Sequence, residues 1–190
     1  MSNREALLRL SRKYPTPPEI ERLLEGLRDS ADMLAAITAT AILEAALEKL
    51  ISAKFKAKRE ALIGQIFLNR GPLSDFHSKI LIANAFGIIT SRMAEELHSL
   101  KAVRNVFAHA KVEISFDHEL IKREVDSSGM LNAMRAVEKT AGSKLDLTNK
   151  QWFLLVAKLL LVVIDGLEKH PGTADDAIKA WESEKPSPSS

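Results

Sequence analysis

The stretch HSLKAVRNVFAHA (98–110) closes an amphipathic helical pattern, yet it places Arg104, Asn105 and His109 where plain core residues would serve. A guanidinium can grip a phosphate through paired N–H donors. An imidazole that titrates near neutrality can act as general acid or base. Together they suggest phosphate chemistry. Asn105 and His109 are four residues apart and share a helix face. Arg104 and His109 are five apart, which on a regular helix separates them by about 140°. They converge on one ligand only if the helix ends or bends near Ala108, or if a second protomer contributes. The structural alternative has Arg104 pairing with Glu44, Asn105 binding a loop carbonyl, and His109 capping or stacking at the helix end. That alternative is favoured, because nothing nearby supplies a second catalytic group.

The elements that position these groups reinforce the structural reading. On a helix over 91–109, Met93, Leu97, Leu100 and Phe107 form an apolar stripe that Arg104 interrupts. On a helix over 30–55, Met33, Ile37, Leu47 and Ile51 form a stripe with Glu44 inside it. A buried charge is tolerated only when paired and hydrogen-bonded. Glu44 and Arg104 are therefore expected to meet across a helix–helix interface.

Other chemistry is poorly supported. The chain has no cysteine, which excludes disulfides and thiolate sites. His77, His98, His109, His118 and His170 form no metal motif, and Glu113, Asp117 and His118 are weak ligand candidates; neither a metal nor a cofactor is expected. Gly-rich phosphate loops and a G-x-S-x-G elbow are missing. AKFKAKR (53–59) sets basic residues around Phe55, as nucleic-acid contacts do, but a solvated helix end explains it better. The turns at Gly71-Pro72 and Gly142 are not followed by a short basic recognition helix, which counts against direct DNA binding. The net charge of +2 is too small to argue for nucleic acid or a membrane.

The 190 residues suit one domain with a sizeable core. Ala, Leu, Ile, Glu and Lys dominate, which favours helices. The pattern predicts an all-α, single-domain bundle of seven or eight helices. An arm over 1–18, broken by Pro15, Pro17 and Pro18, precedes a helical domain over 19–170. A short helix over 174–184 and a disordered tail complete 171–190. Helices are expected at 19–29, 30–55 with Ser30 as N-cap, 59–68, 76–89, 91–109, 118–126, 129–140 and 149–169. Residues 111–117 read as a loop. The greasiest run, WFLLVAKLLLVVI (152–164), is interrupted by Lys158 and falls short of the roughly 20 residues a membrane span needs. It reads as the central core helix. The N-terminus has no apolar core of signal-peptide length, so no membrane association and a cytoplasmic location are expected.

Residues 71–109 resemble the signature region of the mannitol operon repressor (MtlR-like) family. The matching positions are Gly71, Pro72 and Leu73 in a turn, Phe76 at the next helix start, Lys79 and Ile80, Gly87, and then Arg104, Asn105, Phe107, Ala108 and His109. Lys79 stands where arginine is the family's usual residue. The resemblance implies a cytoplasmic, all-helical negative regulator of mannitol use, working through a protein partner, since no DNA-reading element is visible. Arg104 and Asn105 followed by His109 also resemble the short R-x4–6-H motif of HEPN domains. That resemblance implies a metal-independent ribonuclease, or its inactive relative, with Arg104, Asn105 and His109 at the site. A homodimer is expected for either reading, because two-fold pairing is the commonest assembly.

Overall fold

Thr16 opens the first helix: its backbone N–H and its hydroxyl both donate to a Glu19 carboxylate oxygen at 2.7 Å. Helix α1 therefore spans Pro17–Leu27, two residues earlier than expected, with both prolines in its first turn. Proline belongs there, because the missing N–H would have no helical partner anyway. The computed structural model describes residues 14–57, 59–68, 70–142 and 145–169. The expected helix over 174–184 and most of the N-terminal arm lie outside the described residues.

The second helix, α2, spans Asp32–Lys54. Ser30 does not cap it. The Ser30 hydroxyl instead donates to the Leu27 carbonyl at 2.9 Å and closes α1. Asp32, freed from capping, accepts the Phe116 N–H at 2.9 Å and faces the Lys150 ammonium at 3.2 Å. The stripe expected on α2 holds only in its second half. Leu47 and Ile51 are fully buried, but Met33 and Ile37 are 48% and 37% exposed. Ala35, Ala36 and Ala39 face inward in their place. This stretch is apolar on nearly every face, so periodicity could not choose. The alanines let neighbouring helices approach closely, and the larger side chains are left at the rim.

The remaining helices are α3 (Glu60–Phe67), α4 (Phe76–Ala85), α5 (Ser91–His109), α6 (Glu119–Asp126), α7 (Gly129–Ala141) and α8 (Asn149–Lys169). Asp75, Thr90 and Ser128 cap α4, α5 and α7 by accepting the N–H of Ser78, Met93 and Leu131. Helix α4 stops four residues earlier than expected. Gly87 takes a φ of +64°, and the N–H of Ile88 returns to the Ala83 carbonyl at 2.8 Å. A left-handed residue of this kind ends helices and suits glycine. Residues 111–117 form a loop, as expected, and no strand occurs among the described residues. The fold is all-α, with eight helices among the described residues.

Two long helices share the centre that the sequence assigned to α8 alone. Helix α2 packs on α1, α4, α5 and α8, and α8 packs on α2, α5, α6 and α7. One flank of α8 faces solvent through Lys158 and Val162. The loop after α5 seals the core: the Phe116 ring is 2% exposed and sits 4.8 Å from Phe107 and 5.1 Å from Phe153, centre to centre. No described helix is long and apolar enough to cross a membrane. Phe116→Ala removes a fully packed ring and is expected to destabilise the fold by about 3–5 kcal/mol. Urea denaturation checks this; a loss below about 1 kcal/mol would mean that the loop does not seal the core.

Candidate functional site

Two of the signature residues, Lys79 and Arg104, meet Glu44 where α2, α4 and α5 come together, whereas Gly87 follows the end of α4, and Ala108 and His109 are exposed. The turn before α4 is set by Gly71, where a Cβ would fall 2.3 Å from the carbonyl oxygens of Gln65 and Ile66. Only glycine permits that approach. The Leu73 N–H bonds the Ile66 carbonyl at 3.0 Å, and Leu73 and Phe76 are buried, while Pro72 stays exposed. This turn fixes the start of α4 and so places Lys79 in the interface.

The Lys79 side chain is 5% exposed, and its ammonium donates to Glu44 at 2.9 Å and pairs with Glu48 at 2.8 Å. The Phe67 ring lies 5.9 Å from the same nitrogen. Burial alone would lower the Lys79 pKa; the hydrogen bonds to Glu48 and Glu44 outweigh it and hold the group above the ordinary lysine value. The expected pairing of Glu44 with Arg104 is present at 3.6 Å, but as the looser contact. Lys79 is the primary partner. Glu48 was missed in the sequence, although two glutamates four residues apart on one face do call for a cation between them.

Arg104 also donates to the Asn105 side-chain carbonyl at 3.2 Å. Asn105 thus steadies Arg104 and bonds no loop carbonyl among the described residues. Helix α5 runs regularly to His109, so nothing bends to bring Arg104 and His109 together. Arg104 leans inward toward Glu44, while the His109 side chain is exposed. It neither caps nor stacks: it makes no hydrogen bond, ion pair or ring contact with another described residue. Within one copy of the chain, this geometry holds an arginine for structure and presents a histidine to solvent. Among the described residues no group of three or more acids and histidines could hold a metal. His118 caps α6 by accepting the Leu120 N–H, and Asp117 accepts from Asn149.

Two other interactions escaped the sequence reading. The His77 and His98 rings lie 5.1 Å apart across the α4–α5 interface. Glu96 is 4% exposed and accepts the Met130 N–H at 2.9 Å, tethering the start of α7. Its place on the stripe with Met93 and Leu100 was the available signal. Burial, then the nearby His77 and Lys101, lower the His98 pKa.

Lys79→Met leaves Glu48 without its cation and Glu44 with only the looser Arg104 contact. Both acids are partly exposed, so the expected loss is about 2–3 kcal/mol, below that of a fully buried pair. Adding Glu48→Gln, which leaves the Glu44–Arg104 pair intact, should recover at least half, read from urea midpoints; no recovery would deny the charge cluster its role. His98 favours its neutral form in the fold, so its contribution is present above the ordinary histidine pKa and is lost as pH falls below it. His98→Gln should flatten the fall in melting temperature between pH 7 and 5, and an unchanged slope would contradict this.

The model of the mannitol repressor family matches residues 19–159, a span that includes the Gly71-Pro72-Leu73 turn, the Lys79 cluster and the end of α5. No curated protein matches this chain. A chain of the X-ray structure of the MtlR–HPr complex from Escherichia coli is similar in fold, with a TM-score of 0.60 at 18% identity, covering 76% of this chain and 97% of that one. With a family model covering well over half its length and an all-α fold to match, this chain belongs to the mannitol repressor (MtlR) family.

Proposed function

We propose that the protein is a cytoplasmic, non-enzymatic negative regulator of transcription of the mannitol repressor type, working through a protein partner of the HPr kind. The observation that carries this reading is the family match across 19–159. The similar fold seen in a complex with HPr supports the choice of partner. Nothing among the described helices favours operator reading. Helix α6, which follows a turn, mixes Lys122 and Arg123 with Glu119, Glu124 and Asp126 and so presents no basic face. The outward face of α5 offers Ala102, Val106 and His109 to a partner, with Val106 43% exposed. The ribonuclease reading gains nothing from the geometry, since Arg104 is braced on Glu44 and Asn105 and turned away from His109.

Calorimetric titration of the full chain with HPr from its own host tests the proposal, together with a gel-shift assay on the mannitol operator. The expected result is a saturable HPr complex, weakened at least tenfold by Val106→Glu, and no shift of operator DNA by the chain alone. An operator shift without HPr binding would overturn it. Cleavage of single-stranded RNA that is abolished by His109→Ala in a folded protein would restore the enzyme reading. The proposal includes a homodimer, which light scattering should show at twice the 21.0 kDa chain mass.

A further inference from the structure

The α4–α5 turn and the last turns of α2 and α8 enclose a cleft of about 480 Å³, within the range of ordinary small-molecule pockets. It adjoins the Lys79 cluster: Phe55 in its wall stacks on Phe67 at 5.8 Å, and the Phe67 ring lies 5.9 Å from the Lys79 ammonium. Ile51 and Leu167 line it as buried residues, Ile82 and Ile88 as half-buried ones. Phe86 stands beside them with its ring 74% exposed, the most exposed large apolar side chain among the described residues. The polar side chains of the lining, among the described residues, are those of Lys54 and Lys56. Both are exposed, and neither is ion-paired with another described residue. The described lining therefore offers apolar surface and two cationic donors, with no side-chain acceptor.

We infer that this cleft binds a small amphiphilic carboxylate, with an unbranched hydrocarbon chain against the apolar walls and its anionic head at Lys54 and Lys56. The lining selects that class. A nucleotide or a sugar brings hydroxyl and amino donors that need acceptors, and the described side chains here supply none. A cationic head is repelled by the two ammonium groups, and a neutral head leaves them unused. Lysine also suits a single carboxylate, because its ammonium is a compact charge on a flexible stem and needs no paired geometry. The chain accounts for Phe86: an occupant lying along Ile82 and Ile88 covers the ring and removes its apolar surface from water. Ile51 comes from α2, Leu167 from α8 and Ile88 from the α4–α5 turn, so one bound chain touches three segments at once. A ligand held only by the assembled cleft stabilises the folded protein by mass action.

Calorimetric titration of the full chain with monomeric decanoate tests this, beside decyltrimethylammonium and decanol, which carry the same chain under a cationic and a neutral head. The expected result is saturable decanoate binding at one site per chain, at least tenfold tighter than decyltrimethylammonium and at least fivefold tighter than decanol. The melting temperature should rise with decanoate concentration. Lys54→Gln with Lys56→Gln alters only exposed side chains and should weaken decanoate at least fivefold while leaving decanol unchanged. Phe86→Ser, also at an exposed position, should weaken both at least threefold. Three results overturn the inference: no saturation below the concentration at which decanoate forms micelles, equal affinity for the three head groups, or decanoate binding indifferent to both variants, which puts the ligand elsewhere. Retention on phosphatidylglycerol vesicles without binding of monomeric decanoate overturns it as well, because the lysines would then serve a membrane surface and not a cleft.

Discussion

A single ammonium group, that of Lys79, sets the register of the helices around it. Its nitrogen bridges carboxylates on successive turns of α2, at 2.9 and 2.8 Å, from a side chain that water hardly reaches. A charge in that position is costly unless it is paired and hydrogen-bonded. Sliding α4 along α2 by one turn would break at least one of the two contacts that Lys79 makes. The apolar contacts around it, Phe76 and Ile80 on α4 and Leu47 and Ile51 on α2, supply attraction but far less positional preference. The Gly71 turn and the Asp75 cap complete the constraint by fixing where α4 begins.

Arg104 depends on that arrangement. One oxygen of Glu44 is taken by Lys79, and the other faces the Arg104 guanidinium, whose remaining reach is spent on Asn105. A guanidinium held on two neighbouring groups of its own chain is poorly placed to grip a phosphate in concert with a histidine on the opposite side of the helix. The same motif therefore does two separate things: it braces three helices from within and presents His109 and Val106 outside. The proposed partner-bound role would need a rigid frame and an accessible face, and α5 has both.

The bundle is also finished differently at its two ends. Near the end of α5, Phe116 closes the core, and Asp32 holds its backbone in place. At the far end, the α4–α5 turn leaves Phe86 in solvent beside two lysines. Apolar surface left open at one end of an otherwise sealed core is a place where a bound molecule can gain buried area.

The helical class, the position of every described helix to within a few residues, and the pairing of Glu44 with Arg104 were all legible in the sequence. Periodicity, caps such as Thr90 and the loneliness of a charge on a greasy face are local signals. The sequence resemblance likewise located Gly71, Phe76 and Lys79, but not what they do. Three features were decided only by the folded chain. Lys79 outranks Arg104 as the partner of Glu44 because α4 comes closer than any pattern on α2 could disclose. The inward face of the first half of α2 is its alanines and not Met33 and Ile37, because every face there is apolar and the approach of neighbouring helices made the choice. Ser30 closes α1 instead of opening α2, because a hydroxyl between two helices can serve either, and the angle at which the chain turns determines which carbonyl or amide it meets. A sequence specifies which groups require partners; only the packed arrangement of helices determines which partners come within reach.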